Sequence, residues 1–367
     1  MDINIKRFVN IDIKYHVPSS VSSIRDTVVL LTSEGTTDSS KVFSSLAEFK
    51  KDETYSTFTT TSKYAEIFFN NGGIKLDIHC GIANSNAIIS EIEKLPTTEI
   101  IVAYTGDFSE MKTAAEAYTA KEGSTDNISS VYGINQKILL SRTAEASDCK
   151  AINNFAVKVS SIVGSEMTIA AYLNRLNIYG TDTIQDYAFT ISNFSDEDLK
   201  KIVNDDTVLG NVLDNNMNVD MTLTNAVRNL GGNLTNGLDL VNQYVLIILQ
   251  QTVTDRLLNL LTQKIKGESG ISSIYTTIAA ELSKYITNGY LSTSKVWTDD
   301  TKTISYNGKT YTLIEKGTPL LLGYHITILP FNSLDNADAS KHKCPPIYIF
   351  LADSYGIRNI TINGEVI

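Results

Sequence analysis

The strongest constraint on this chain is a pair of helix patterns between Leu238 and Gly289, joined by a short turn that contains two glycines. In the first pattern, apolar residues recur at every fourth position: Val241, Val245, Leu249, Val253, Leu257, Leu261 and Ile265. Because a stride of four exceeds the 3.6-residue period of an α-helix, this ridge winds around the helix and needs several partners along its length. We predict one long helix that is buried on all sides from Tyr244 to Leu249.

The second pattern predicts a helix with one apolar face, which ends at Asn288-Gly289. This face comprises Ile271, Ile274, Tyr275, Ile278, Leu282, Tyr285 and Ile286. The turn Gly267-Glu268-Ser269-Gly270 is short enough to fold the second helix back antiparallel against the first. The longest apolar run in this helical hairpin is six residues, whereas a membrane span needs roughly 20. We therefore expect no membrane insertion.

Length and charge limit the remaining possibilities. A chain of 367 residues is long enough for two or more domains. Its formal net charge of −10 opposes the basic field that general nucleic-acid binding requires. The three cysteines, Cys80, Cys149 and Cys344, lie far apart and favour a reducing compartment over a disulfide framework. No signal peptide pattern follows Met1, so we expect synthesis in a cytoplasm.

Both ends of the sequence carry strand patterns that lack a local partner. Residues 3–17 alternate apolar and polar, and residues 358–367 alternate again around Asn363-Gly364. Exposed strand edges are an aggregation hazard unless something pairs with them. We therefore expect both segments to pair with a remote part of this chain or with another chain.

Strand and helix patterns alternate between these ends, which predicts an α/β fold with mixed sheets covered by helices. Helices are predicted at 43–49, 63–70, 86–95, 109–121, 166–176 and 195–203, and strands at 28–31, 74–80, 99–104, 187–191 and 214–224. The pattern weakens between 123 and 154. After the helical hairpin, Asn307-Gly308 predicts a β-hairpin of 303–306 and 309–313. Further strands are predicted at 324–329 and 347–351.

Candidate chemistry is sparse. His79 with Cys80 and His342 with Cys344 lack metal-ligand spacing, and the run from Asp214 to Asp220 has valine where a calcium loop needs glycine. A flavodoxin-like or nucleotide-using enzyme needs a phosphate-binding turn after one of the strands at Val28, Ile74 or Glu99, and none has one. We expect no cofactor and no catalysis, with such an α/β enzyme kept as the alternative.

Several stretches are similar to one protein family. They are Arg25-Asp26-Thr27-Val28-Val29-Leu30, the passage from Tyr64 to Leu76 that includes Phe68-Phe69-Asn70-Asn71-Gly72-Gly73, the passage from Gly164 to Leu173, Thr287-Asn288-Gly289-Tyr290, and Ile347 to Gly364. In this order they resemble the sheath subunit of a contractile phage tail or a related contractile injection system. The chain is short for a sheath, so reduced outer domains are expected.

The resemblance implies a structural subunit that stacks as hexameric rings or helical strands around a tail tube and contracts irreversibly to drive the tube through the envelope of a target cell. Implied partners are copies of itself, the tail tube protein, and baseplate and tail terminator proteins. The implied location is the contractile tail of a virion, made in the cytoplasm of a bacterial host. A tube or baseplate protein is the alternative within this class.

The resemblance also assigns a role to the unpaired terminal strands, because terminal arms in this family add strands to a small sheet of neighbouring subunits. The arm residues so implied are Ile5, Val9, Ile11, Ile13, Tyr15, Ile360, Ile362 and Val366. We therefore divide the chain into an N-terminal arm (1–20), an α/β region (21–235), a core with the helical hairpin and the β-hairpin (236–352) and a C-terminal arm (353–367).

A cluster of positive charge lies on the second half of the first long helix. Arg256, Lys264 and Lys266 stand out in a chain of net charge −10. The two lysines suit the negative end of a helix dipole, but Arg256 lies too far from that end to be explained this way. Two interpretations remain open: compensation of the helix dipole, or a weak electrostatic contact with an acidic tail tube.

Overall fold

The computed structural model describes residues 27–36, 39–96, 98–122, 136–145, 149–150, 152–176, 190–191, 194–223, 226–261, 267–340, 344–352 and 354. The arm residues from Ile5 to Tyr15 and from Ile360 to Val366 lie outside these ranges, as do Lys264, Lys266 and His342. The predictions that rest on them stay predictions.

One large sheet dominates the described part of the chain, with nine strands in the order β2-β3-β1-β4-β5-β6-β8-β9-β7. These strands are β1 (Thr27–Leu31), β2 (Ser40–Phe43), β3 (Lys75–His79), β4 (Ile101–Tyr104), β5 (Ile138–Thr143), β6 (Phe155–Val159), β7 (Thr190–Ile191), β8 (Asn218–Leu223) and β9 (Ala226–Leu230). The six strands from β3 to β8 in this order are mutually parallel, and β2, β9 and β7 run antiparallel to their neighbours. The predicted α/β class is confirmed.

Helices cover both faces of the sheet because successive strand residues point to opposite sides. Val28 and Leu30 of β1 share one core with the first set of helices, and Val29 and Leu31 share a second core with the other set. The first set is α1 (Leu46–Lys51), α2 (Thr59–Asn70), α5 (Met167–Arg175), α8 (Leu240–Leu261) and α9 (Gly267–Thr287). The second set is α3 (Ser85–Lys94), α4 (Phe108–Glu122) and α7 (Asp206–Asp214).

The junction between β6 and β8 is short, with only Lys158↔Asn218 and Val159↔Val219 in register. A buried ion pair crosses it: Lys158 Nζ lies 2.6 and 2.8 Å from the two carboxylate oxygens of Asp220. Thr168 accepts a further hydrogen bond from Lys158, and Asn229 donates one to Asp220 at 3.1 Å. This polar cluster therefore supplies contacts where the backbone ladder is short.

The predicted helical hairpin is present as α8 and α9. Residues Tyr244 to Leu249 are buried, as predicted, and α8 shares one apolar core with the large sheet. The predicted turn at 267–270 was wrong, because Gly267 begins α9 and the following three residues are helical. The second helix ends at Thr287, directly before the predicted stop.

Other differences concern element boundaries. The predicted helix at 43–49 was wrong, because Phe43 closes strand β2 and α1 begins only at Leu46. A capping box sets this start: the Ser45 hydroxyl accepts from the N–H of Glu48, whose carboxylate accepts from the N–H of Ser44. The predicted strand at 214–224 begins at Asn218 because Asp214 ends α7, a helix that the sequence pattern missed.

Two short antiparallel pairs follow the helical hairpin. The predicted β-hairpin is confirmed as β10 (Lys302–Tyr306) and β11 (Lys309–Ile314), with Asn307 and Gly308 both at positive φ. The last two strands, β12 (Tyr324–Ile328) and β13 (Ile347–Leu351), pair directly with each other. The short helix α10 (Asn336–Ser340) lies in the connection between them. A four-residue helix, α6 (Asp196–Leu199), lies within the predicted 195–203.

Candidate assembly surfaces

The β12–β13 sheet is covered on both faces. Tyr324, Ile347 and Ile349 belong to the core that contains the helical hairpin. Tyr348 and Phe350 point to the other side, into a core with residues of β11, and the Phe350 ring packs 5.2 Å from that of Trp297. Strand β13 is thus buried between two apolar cores, whereas β12 is half-buried after Tyr324.

Both outer edges of this sheet carry backbone groups without a backbone partner in the part of the chain that the structure describes. The bonds Leu329 N–H to Pro346 O and Ala352 N–H to Gly323 O flank the ladder, so the bonded pairs between them are His325/Phe350 and Thr327/Tyr348. The N–H and C=O groups of the intervening residues therefore point outward: Tyr324, Ile326 and Ile328 on β12, and Ile347, Ile349 and Leu351 on β13. Within the described ranges, no backbone hydrogen bond reaches these outward groups.

The charged groove between α8 and α9 holds Arg256, the described member of the predicted tube contact. Its side chain is 56% exposed, and its Nε lies 3.6 Å from Glu281 Oε2, which also accepts from Lys284 Nζ at 2.6 Å. Both basic residues line an open groove of about 620 Å³ whose wall is formed by small hydroxyl residues of α9. Glu281 thus gives Arg256 a structural partner, which the helix dipole alone did not explain. The contact of Arg256 with a tail tube stays a prediction.

The strand order reverses at β1, because β2 and β3 lie on one side of it and β4 lies on the other. α/β proteins commonly bind ligands at such a reversal. Here the carboxylate of Glu34 occupies the N-terminus of α2, accepting from the N–H groups of Thr60 and Thr61 at 3.2 and 2.8 Å. Burial acts to raise the pKa of Glu34, but these hydrogen bonds outweigh it and lower the pKa. A side chain of the protein itself thus takes the position at a helix N-terminus that a phosphate takes in many nucleotide-binding proteins.

The candidate metal residues have other partners. His79 lies 2.8 Å from Glu91 and 3.2 Å from Asp77, and hydrogen bonds to these carboxylates raise its pKa although burial opposes them. Asp220, from the weak calcium pattern, binds Lys158. Among the described residues, no group of three or more His, Cys, Asp or Glu side chains has an arrangement that could hold a metal ion.

Sequence reasoning predicted β12 and β13 but missed that they pair with each other and leave both edges open. It also missed Glu34 and Lys158 as structural residues. The one available signal was for Glu34, an acid ahead of the threonine-rich start of α2. No helix in the described ranges combines the length and hydropathy needed to cross a bilayer.

Comparison with known proteins places this geometry in a structural context. No protein-family model and no curated protein matches the sequence. The structure is similar to the helical sheath of the anti-feeding prophage in its contracted state, with a TM-score of 0.63, 10% sequence identity and 98% of each chain covered. It is also similar to the baseplate of the same particle in the contracted state, with a TM-score of 0.58, 12% identity and coverage of 100% of this chain and 99% of that one. The chain therefore has the fold of a contractile injection system sheath, as its sequence resemblance predicted.

Proposed function

We propose that this protein is a structural subunit of a contractile tail sheath, which polymerises around a tail tube and contracts to drive it through a target envelope. The observation that carries the proposal is the β12–β13 sheet, in which β13 is buried and neither outer edge has a backbone partner among the described residues. Each chain also has two predicted terminal arms. Two open edges and two arms per chain are the numbers that a continuous mesh of subunits requires.

Strand addition at these edges is strong enough to hold such a mesh. The three outward-facing residues of β12 offer three N–H and three C=O groups. At about 1 kcal/mol net per hydrogen bond, pairing them stabilises the contact by roughly 6 kcal/mol before the entropy of ordering the arm is subtracted. A contact of this size can hold neighbouring subunits together while the subunit bodies rotate and slide.

The proposed partners are copies of this chain, a tail tube, and the baseplate and terminator that close the two ends. The exposed Arg256 at the rim of its groove supports a tube contact, since a single partly exposed charge gives the weak binding that sliding needs. We propose no catalytic role, which the occupation of the α2 N-terminus by Glu34 supports.

A baseplate subunit is the second candidate, because one similar structure is a baseplate. The two candidates differ in what the purified protein does alone. A sheath subunit forms long tubes or helical filaments, whereas a baseplate subunit forms closed rings or stays dispersed. Negative-stain electron microscopy of the purified protein separates these outcomes.

The arm assignment is tested by deleting residues 1–17. The truncated chain should stay folded and soluble but lose polymerisation, and normal tubes from it would refute the assignment. Hydrogen–deuterium exchange adds a local measurement: peptides covering β12 and β13 should gain protection when the full chain polymerises, while peptides covering the β10–β11 hairpin should not.

A further inference from the structure

A β-turn directly before β12 displays two leucines to solvent. Gly323 N–H donates to Leu320 O at 2.9 Å, which places Leu321 and Leu322 at the corners of the turn. These side chains are 71% and 56% exposed, more than any other large apolar residue in the described ranges. Turn corners favour Gly, Pro, Asn, Asp and Ser, so two leucines at this position call for a partner. We call residues 320–323 the leucine turn.

The leucine turn is held rigidly. Leu320 is 3% exposed, and its N–H donates to Lys295 O at 2.9 Å. Gly323 has a φ of +70°, and a Cβ there would lie 3.0 Å from Leu291 and 3.2 Å from Ile286. Little conformational entropy is therefore lost when a partner covers the two leucines.

The turn lies directly before β12 in the sequence. Tyr324, the first residue of β12, follows Gly323 directly. Past the far end of the strand, Phe331 is 40% exposed, and Tyr275 of α9, 42% exposed, lies near Tyr324. Exposed apolar residues therefore flank β12 on both sides in the sequence.

The N-terminal segment of another copy is longer than the edge of β12 and reaches past it. Residues 3–17 alternate apolar and polar and span roughly 50 Å when extended, whereas the five residues of β12 span roughly 17 Å. A strand that pairs with β12 must therefore overhang it. Its apolar side chains at Ile3, Ile5, Val9, Ile11, Ile13 and Tyr15 need an apolar surface past the end of the edge.

The charge of this segment also favours a second copy. Lys6, Arg7 and Lys14 outnumber Asp2 and Asp12, so residues 1–17 carry a net charge of +1 within a chain of net −10. The remainder of the chain therefore carries −11, and a weakly basic segment is attracted to the acidic body of a neighbouring subunit.

We propose that the leucine turn is the landing site for the overhang of residues 3–17 from a second copy, whose central part pairs with the edge of β12. This inference rests on the proposed strand exchange and adds the residues that fix where the segment binds. Backbone pairing alone does not set register, because every residue offers the same groups. Burial of Leu321 and Leu322 under defined apolar side chains supplies register.

The test uses full-length chains and a synthetic peptide of residues 1–20. Leu321→Ser and Leu322→Ser are combined in one variant, since serine suits a turn corner and leaves the net charge unchanged. Val42→Ser is the matched control, because Val42 is 44% exposed on strand β2 of the large sheet. Binding of the labelled peptide is measured by fluorescence anisotropy at chain concentrations below the onset of polymerisation, and sedimentation then measures polymerisation.

The peptide should bind the wild type and the Val42→Ser variant alike, and the double serine variant at least about tenfold more weakly. Equal binding to all three chains would refute the landing site and leave the strand exchange intact. No binding to any chain would overturn the pairing with β12 as well. Normal self-polymerisation of the double variant with loss of co-assembly on a tail tube would assign the leucines to the tube instead.

Discussion

The buried pair between Lys158 and Asp220 allows a prediction that separates charge burial from packing. Their side chains are 0% and 1% exposed. Burial lowers the pKa of Lys158 and raises the pKa of Asp220 in spite of their mutual attraction. Desolvation thus offsets much of what the pair gains, so the intact pair contributes little to stability while either half alone is costly.

The size of that cost follows from the free energy needed to neutralise the group that is left without its partner. In Asp220→Asn, Lys158 must either stay charged in the core or lose its proton at pH 7, which costs about 4.6 kcal/mol against an ordinary lysine pKa of about 10.4. In Lys158→Met, protonating Asp220 costs about 4.2 kcal/mol against a pKa of about 3.9. The free energy of unfolding of each single variant should therefore fall by about 3–5 kcal/mol. The double variant Lys158→Met with Asp220→Leu should lose less unfolding free energy than either single variant.

The two single variants should respond to pH in opposite directions. Folded Lys158→Met holds a proton on Asp220 that the unfolded chain releases, so its stability falls by about 1.4 kcal/mol per pH unit between the unfolded and folded pKa values of that carboxyl. Folded Asp220→Asn lacks a proton that unfolded Lys158 binds, so its stability rises by the same amount per unit up to the unfolded lysine pKa.

Urea unfolding followed by circular dichroism between pH 5 and 9 measures both slopes relative to the wild type. The arrangement at the β6–β8 junction supplies the control, because Asn229→Ala removes a hydrogen bond to Asp220 without leaving a lone charge. Parallel slopes for the two single variants, or a double variant as unstable as the singles, would show that the cost arises from packing instead of charge burial.

Three further predictions concern the assembly and the fold. Arg256→Glu should abolish co-assembly on a tail tube without affecting tube-free polymers, increasingly so as salt is lowered, whereas Lys50→Glu, at a 55% exposed lysine paired with Glu66, should not; cosedimentation at two salt concentrations checks this. Ile362→Pro should block polymerisation with an unchanged circular dichroism spectrum, because proline cannot donate to a strand ladder, and normal filaments in electron micrographs would show that residue 362 joins no sheet. Glu34→Gln should lower the free energy of unfolding by about 1 kcal/mol at neutral pH. Because the pKa of Glu34 is lowered in the fold, its contribution is present above the unfolded pKa and is lost as pH falls through the folded pKa. The thermal midpoints of variant and wild type should therefore converge in acid.

Local signals predicted much of this fold. The Asn307-Gly308 turn, the buried middle of α8 and the helix stop before Asn288 depend on neighbouring residues alone, and each lies where it was predicted. Strand β13 matches its predicted bounds because five consecutive large side chains, all buried, leave little choice. Elements of this kind can be predicted from their own residues without knowledge of distant contacts.

Strands β5 and β6 were missed for a physical reason. Their runs are interrupted by Ser141, Arg142 and Lys158, which disguise an otherwise apolar pattern. The fold accommodates Lys158 because Asp220 and Thr168 lie opposite it, and Arg142 because it donates to the Ser160 carbonyl. A polar residue with a distant buried partner is indistinguishable from a loop residue until that partner is known.

The open edges could not be predicted for a related reason. Which residues of β12 point their N–H groups outward depends on the parity of its pairing with β13, and a shift by one residue would reverse it. The flanking bonds at Gly323 and Leu329 fix that parity in the structure. The sequence alone predicts that a strand exists and leaves its free side undefined.

The position of the β12–β13 sheet late in the sequence has a consequence for the timing of synthesis. Strand β13 ends at Leu351, so more than 300 residues separate it from residues 3–17. At about 5–20 residues per second, a ribosome needs roughly 20–70 s to cover that distance. During this interval a growing chain has made its N-terminal segment but has no edge that could receive one. Under the proposed strand exchange, growing chains on the same messenger RNA therefore cannot join each other through β12 before β13 has been made.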